Sequence, residues 1–384
     1  MRGRGSGVAV VGASESTRIG SVPDMSAMGL CIDAAVNALN DAGIRASDVD
    51  GVASVYNFPT ELAFSLGIKP RWVDSVAVGG AAWMFLVANA CAAIQAGYCN
   101  TVLVVHGESG RSRQSNYTYD LRPPGGFGDQ FDFTAGMSGA VSMLALPAMR
   151  YLHEFGATER QLATVAVQQR LWARRNPRAT LRTPLSVDDV LSAPMIAPPL
   201  TRPMCCLVSD GGGAIVLAAA DRVGEFRPRP VYVSGIGLAA DSYLTGVAFV
   251  DDMVRPSFAR RAARQAFETA AIQTKDVRHL MLYDPFAHFV WLGLEALGFC
   301  EEGVAPSFVA DGQTGPGGSL PTNTNGGGLS YVHSGSYSMF AMQESIRQVR
   351  GEAAAQVRDC GISVTHGWGG FFSSCATIVF TAER

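Results

Sequence analysis

Residues 30–49 read Leu-Cys-Ile-Asp-Ala-Ala-Val-Asn-Ala-Leu-Asn-Asp-Ala-Gly-Ile-Arg-Ala-Ser-Asp-Val, and residues 258–277 read Phe-Ala-Arg-Arg-Ala-Ala-Arg-Gln-Ala-Phe-Glu-Thr-Ala-Ala-Ile-Gln-Thr-Lys-Asp-Val. The two stretches align at a constant offset of 228. Ala34 falls on Ala262, Ala35 on Ala263, Ala38 on Ala266, Leu39 on Phe267, Ala42 on Ala270, Ile44 on Ile272, Asp48 on Asp276 and Val49 on Val277. The apolar residues of 26–43 recur at helical spacing, and Gly43 stops that helix. A short apolar run precedes each copy: Val8 to Val11 before the first, Val231 to Val233 before the second. A strand follows each copy, from Val52 to Tyr56 and from His279 to Tyr283. Further on, Val104-Val-His106-Gly107 resembles Val364-Thr-His366-Gly367. The order of elements points to a duplicated α/β half, two of which pack into one pseudo-symmetric body.

Between the first copy and its end the alternation continues. A strand from Trp72 to Val78, a Gly79-Gly80 turn, a buried helix from Ala81 to Gly97 and a strand from Thr101 to Val105 are expected. That alternation is the signature of a layered α/β fold. The bulk numbers agree: 384 residues, 48% hydrophobic and only 16% charged, make a large core without a disordered composition. A net charge of -3 argues against general nucleic-acid affinity. No stretch is long and apolar enough to span a bilayer, and the start lacks the apolar core of a secretory signal. The eight cysteines include no Cys-x-x-Cys pair, so reduced, mostly buried thiols in a cytoplasmic protein are expected.

Residues 108–205 differ in composition. They hold Arg111, Arg113, Arg122, Arg150, Arg160, Arg170, Arg174, Arg175, Arg178, Arg182 and Arg202, with Pro123-Pro124-Gly125-Gly126 as punctuation. An inserted, partly helical loop domain is the reading. Its arginines suit either a solvated face with ordinary ion pairs or the bidentate grip of a polyphosphate. Ser209-Asp-Gly-Gly-Gly-Ala214 then turns into a buried strand, without the spacing of a P-loop. The division expected is an N-terminal half over 1–107 and 206–225, the loop domain over 108–205, and a C-terminal half over 226–384.

Near the end, Asn323-Thr-Asn-Gly-Gly-Gly-Leu-Ser-Tyr-Val-His333 places three glycines ahead of a histidine, and a helical pattern follows. Glycines there admit positive φ and close approach to a ligand. His333 is therefore either a catalytic imidazole held on a loop or a packing residue beside a turn.

These landmarks together resemble the thiolase superfamily. They are Val78-Gly-Gly-Ala-Ala82, Ser209-Asp-Gly-Gly-Gly-Ala214, Tyr283-Asp-Pro-Phe286 with Leu294-Glu-Ala-Leu-Gly298, the 323–333 run and His366-Gly-Trp-Gly-Gly370. Within the superfamily the chain is most similar to the thiolase-like lipid-transfer proteins of sterol-carrier type. The resemblance implies an α/β thiolase fold, two βαβαβαββ halves in five layers with the loop domain inserted, and usually a dimer. It implies a coenzyme A thioester as substrate, lying between loop domain and body. It implies no metal or redox cofactor in this chain. In some relatives a small OB-fold and zinc-ribbon partner acts in trans, which would give a heterotetramer.

The departures from the family decide the chemistry. The nucleophilic cysteine, at the start of the buried helix, falls on Gly80, and its neighbours Gly79, Ala81 and Ala82 carry no hydroxyl or thiol. Cys91 lies too far into the helix and reads as core. The second thiolase cysteine falls close to Thr365 and His366. The thiolase Gly-His-Pro histidine matches His333, and the other oxyanion-hole position matches Tyr283. A tyrosine there, with no cysteine, resembles the steroid side-chain aldolases, which cleave β-hydroxyacyl-CoA by retro-aldol reaction. Such cleavage needs a base for the hydroxyl, donors for the thioester enolate and a proton for its carbon. The roles implied are Tyr283 or His366 as base and His333 as donor to the thioester oxygen, with Gly79, Gly80 and Gly327 shaping the pocket that binds the CoA ester. His288 and Tyr331 read as structural, as do Met339, Phe340 and Met342. Two other readings stand beside this one: a β-ketoacyl-CoA thiolase or acyltransferase with a non-standard nucleophile, and a non-catalytic lipid carrier or scaffold.

Overall fold

The repeat holds down to its turns. The computed structural model describes residues 7–55, 58–113, 128–137, 139–241, 253–370 and 372–384. Arg122, the Pro123–Gly126 run and Tyr56 lie outside the described residues. The strands are β1 (Val8–Glu15), β2 (Gly51–Ser54), β3 (Trp72–Asp74), β4 (Thr101–Ser109), β5 (Met195–Ala197), β6 (Leu200–Thr201), β7 (Asp210–Ala219), β8 (Val231–Ala240), β9 (His279–Leu282), β10 (Ile362–Gly369) and β11 (Ser374–Thr381). The helices are α1 (Ala27–Ala42), α2 (Pro59–Leu66), α3 (Ala82–Gln95), α4 (Ala140–Phe155), α5 (Glu159–Ala173), α6 (Val187–Ser192), α7 (Ser257–Ala270), α8 (His288–Ala296), α9 (Ala305–Ala310), α10 (Gly327–Ser330) and α11 (Ser338–Arg350).

α1 ends on Gly43 with φ 76°, and α7 ends on the equivalent Ala271 with φ 54°. The left-handed cap is kept even where a methyl group opposes it, a sign that the architecture outweighs the local cost. A single 3-10 turn follows each helix, Ala46–Asp48 and Thr274–Asp276, and each closes with an aspartate that accepts from the backbone three residues earlier. The alanines of the repeat exist for close packing. A Cβ on Gly12 of β1 would lie 2.6 Å from Ala38 O and 2.7 Å from Ala42 Cβ. A Cβ on Gly235 of β8 would lie 2.8 Å from Ala270 Cβ. Glycine on the strand and alanine on the helix let backbone meet backbone in both halves.

The large sheet runs β3-β2-β4-β7-β1-β8-β11-β10-β9. It is two equivalent units joined by the antiparallel contact of β1 with β8. β2 pairs parallel with β4 as β9 does with β10, and β4 pairs antiparallel with β7 as β10 does with β11. α1 covers β1, β4 and β7, α7 covers β8 and β11, and α3 meets α11 between them. The result is five layers: helix, sheet, helix pair, sheet, helix. Three buried clusters fill the spaces between them.

Some boundaries differ from the sequence reading. The strand expected from Trp72 to Val78 stops at Asp74, since it is an edge strand with β2 as its neighbour. The buried helix starts later, at Ala82, after a 3-10 turn over Gly79–Ala81. β4 runs on to Ser109, because β7 pairs with it as far as Asp210.

Between β4 and β7 lie α4, α5, α6 and the β5–β6 hairpin. Several arginines there serve the protein itself. Arg150 pairs with Glu154, Arg160 with Asp188, and Arg170 donates to Ser330 Oγ and Thr183 O. Arg178 reaches Glu15 of β1, where Arg347 of α11 and the Tyr331 hydroxyl also converge. Burial would raise the Glu15 carboxyl, but Arg347 and Arg178 overcome it and hold the group below the ordinary carboxylate range.

Candidate active site

A cavity of about 200 Å³ opens where the two halves and the inserted segment meet. Gly79 and Gly80 line it from the N-terminal half, and Tyr283, His333, Trp368, Gly369 and Gly370 from the C-terminal half. Ala140 and Leu144 of α4 close it from the inserted segment.

Tyr283 is the first residue beyond β9. Its N–H donates to His366 O at 2.9 Å. The preceding Leu282 is held at both backbone groups: its N–H donates to Asn323 Oδ1 at 2.7 Å and its carbonyl accepts from Asn323 Nδ2 at 3.0 Å. The ring direction is thus fixed by backbone ties on either side. His333 is tied to the segment before β7: its N–H donates to Ser209 Oγ at 2.8 Å and its carbonyl accepts from Ser209 N at 3.2 Å. These supports bring Tyr283 Oη within 2.9 Å of His333 Nε2.

Burial pushes the His333 imidazole down to about 4, so it is neutral near pH 7. A neutral ring facing a phenol takes the acceptor role at Nε2, which assigns its proton to Nδ1. Both side chains line the cavity, and a hydrogen bond between a phenol and a neutral imidazole can carry a proton from one to the other.

Gly80 explains the room for this arrangement. A Cβ there would collide with Tyr283 Cε1 and stand 2.8 Å from both Tyr283 Cζ and Trp368 O. The space a side chain at position 80 would need is occupied by the tyrosine ring. Gly79 has φ 69°, and a Cβ on it would run into Gly370 N. Both residues therefore need to be glycine, and both line the cavity.

The other expected site residues sit elsewhere. His366 does not line the cavity. It is fully buried on β10, with Nδ1 2.8 Å from Thr377 Oγ1 and its ring edge-on to Trp368 at 4.7 Å. Burial pushes it down to about 3. Along a strand, residues two apart share a face, so Trp368 takes the cavity wall and His366 lies one step deeper. Gly327 also stands behind the wall: its Cβ would fall 2.5 Å from Asp284 Oδ2 and Gln169 Oε1. His288 is buried with neither ring nitrogen hydrogen-bonded among the described residues, and Tyr331 serves the Glu15 cluster. Cys91 packs in the central core and is not part of the wall.

The rest of the wall is apolar: Leu144, Pro285, Phe286, Phe289 and Phe372, with the Cys206 thiol among them. Phe289 stacks on Phe372 at 5.0 Å and meets Trp368 edge-on at 5.7 Å. Burial raises the Cys206 thiol far above its ordinary value, so it is no ready nucleophile. The sequence reading missed Phe289, Phe372, Leu144 and Cys206. It had Phe286 and Trp368 inside its landmarks but gave them no role.

The comparisons with known proteins give the family and the fold. Residues 244–382 match the family model described as "Thiolase C-terminal domain-like". The chain is 31% identical to the 17-hydroxy-3-oxo-4-pregnene-20-carboxyl-CoA lyase of Mycobacterium tuberculosis, over 92% of this chain and 94% of the relative. It is 30% identical to the steroid side-chain-cleaving aldolase of Thermomonospora curvata, over 94% of this chain and 96% of the relative. Among solved structures it superposes on the Ltp2-ChsH2(DUF35) aldolase with a TM-score of 0.90 at 26% identity, covering 99% of both chains.

Proposed function

We propose that this chain, which belongs to the thiolase superfamily and resembles its steroid side-chain aldolases, is a lyase that cleaves a β-hydroxyacyl-CoA by retro-aldol reaction. The observation that carries the reading is the collision between position 80 and Tyr283. The place of a covalent nucleophile is filled by a phenol that is hydrogen-bonded to a neutral imidazole.

The mechanism follows from that pair. The β-hydroxyl gives its proton to Tyr283 Oη while Tyr283 gives its own to His333 Nε2. The electrons of the hydroxyl O–H bond form the carbonyl, and those of the Cα–Cβ bond pass into the thioester as an enolate. Backbone N–H groups of the glycine turns at 79–80 and 369–370 are the donors for the enolate oxygen. The imidazolium is a strong acid in this buried setting, with its pKa held near 4. It returns the proton through Tyr283 to the α-carbon, so the atoms balance and no acyl-enzyme forms. His333 thus acts as the proton relay beside Tyr283, and Tyr283 is the base. The apolar wall receives the fragment that leaves as aldehyde or ketone.

Coenzyme A would lie between the 108–205 loop domain and the body. A second copy would continue the sheet at β3, whose edge carries the exposed Val73. The aldolase with TM-score 0.90 is described with a DUF35 component. A small OB-fold partner would meet this chain at exposed Leu146 and Met149 of α4 and Met195 and Ile196 of β5, beside the helix that closes the cavity. No described helix is long and apolar enough to cross a membrane, and the proposed setting is the cytoplasm.

The test is product analysis by mass spectrometry on β-hydroxyacyl-CoA and β-ketoacyl-CoA panels, with and without a small OB-fold partner. A released carbonyl compound plus a shortened acyl-CoA, with no free coenzyme A consumed, is the expected result. Turnover of the β-keto panel alone, dependent on free coenzyme A, would contradict it.

A further inference from the structure

We infer that Asp284 is the positioning residue that sets the Tyr283–His333 pair, and that it does so through its state of ionisation. The inference rests on the lyase reading for its consequence in turnover, but its geometry stands apart from it.

Asp284 follows Tyr283 directly and is fully buried. Its carboxylate crosses to the segment that carries His333. Oδ1 accepts from Gly328 N at 2.8 Å and Oδ2 from Leu329 N at 3.3 Å. Gly327 leaves room for that contact, as its Cβ would press on Oδ2 at 2.5 Å. Gly328 sits between the two residues: its Cβ would meet Asp284 Oδ1 at 3.2 Å and His333 Cδ2 at 3.5 Å. Asn323 ties the start of this run to Leu282, and the Asp284 carboxylate adds the tie between the end of β9 and residues 328–329, nearest to His333. The Tyr283 to His333 distance depends on that tie together with the Asn323 and Ser209 bonds. A base displaced by even 1 Å loses about two orders of magnitude in rate.

The grip depends on charge. An ionised carboxylate accepts at both oxygens, whereas a protonated one keeps a single good acceptor. Burial raises the group, and the Gly328 amide, the Gln169 side chain and, more weakly, the Leu329 amide pull it back, leaving it at about 7. The titratable groups facing it are Cys206 ahead of β7, Tyr337 ahead of α11, and the Tyr283–His333 pair. Tyr337 donates to Asn325 Oδ1 at 2.5 Å, Arg170 donates to Ser330 Oγ, and Glu344, whose charge also acts on Tyr337, accepts from Thr324 Oγ1. Burial lifts Cys206 and Tyr337 well above their ordinary values, and His333 is held near 4. Asp284 is thus the member of this set that changes charge near neutrality.

The experiment labels histidine with nitrogen-15 and follows the His333 ring signals from pH 5.5 to 8.5, in the wild type and in Asp284→Asn. The wild type is expected to show an inflection near pH 7, and the variant to lack it. Absence of the inflection in the wild type, or its persistence in Asp284→Asn, would overturn the inference. The wild-type result stands even if the variant does not fold. On a substrate that turns over, kcat of Asp284→Asn should fall at least tenfold with KM within threefold, and kcat of the wild type should decline below pH 7. A wild type with the inflection but no cleavage of any β-hydroxyacyl-CoA would remove the lyase reading and leave the positioning role standing.

Discussion

The two halves are built alike and contribute to the cavity in opposite ways. The residue one past β2 is Val55, buried in the central core, while the equivalent residue one past β9 is Tyr283, which lines the cavity. At the start of α3 the N-terminal half presents only Gly79 and Gly80. The C-terminal half sends Tyr283, His333 and Trp368 into the space those glycines leave. A duplicated scaffold gives two similar strand ends. In the proposed reading, chemistry arises where one copy withdraws its side chains and the other fills the room.

The comparison breaks most completely if the filling side loses its phenol. Tyr283→Phe keeps the ring that Gly80 accommodates but removes the proton path, and kcat should fall about a thousandfold. Steady-state kinetics checks this, with KM changing little.

A second break concerns what joins the halves. Glu15 of β1 binds Arg347 of α11 and Arg178 of the inserted segment. Glu15→Ala would remove a buried carboxylate from the half-buried Arg347, which keeps Glu344 as a partner, and stability should drop by about 3 kcal/mol, measured by urea unfolding. The Glu15 carboxyl lies below its ordinary range in the folded state. Its contribution is therefore complete above the unfolded value and is lost as pH falls through the folded one.

From the withdrawing side, Gly80→Ala adds one carbon that meets the Tyr283 ring. The ring must turn away from His333, and kcat should fall about a hundredfold. Gly80→Cys should behave likewise and form no acyl adduct by intact-protein mass spectrometry.

Acid sharpens the same contrast. His333 is held at about 4, and His106 and His366, at matching places on β4 and β10, at about 3. An unfolded chain binds protons at its histidines from about pH 6.5 downward while the folded one does not, so stability is full above that pH and declines below it. Thermal midpoints measured from pH 7.5 to 4.5 should fall throughout the lower part of that range. The smallest effect is expected at Cys91, which packs in the core: Cys91→Ala should change kcat less than about twofold.

Much of this was legible in the residues. The 228-residue offset carried the helices, their caps and the strands that follow, because tight helix-on-strand packing demands glycine and alanine at fixed places. Tyr283 and His333 were legible as residue types in familiar surroundings. The exchange between Gly80 and Tyr283 was not, since a glycine shows nothing of the ring that occupies its space. His366 and Trp368 are two apart on β10 and share one face, so the strand pattern cannot tell which of them reaches the cavity. The apolar wall draws on Leu144, Phe289 and Phe372, which lie far apart in sequence and meet only through the layered fold.

The most direct test of the central claim is a single-turnover comparison of wild type and Tyr283→Phe on a β-hydroxyacyl-CoA the wild type cleaves, with binding measured separately. The account predicts a carbon–carbon cleavage rate about a thousandfold lower in the variant, with the thioester bound within about threefold of wild type. A variant that cleaves at nearly the wild-type rate would contradict it, because the phenol that fills the place of the nucleophile would then have no part in the chemistry.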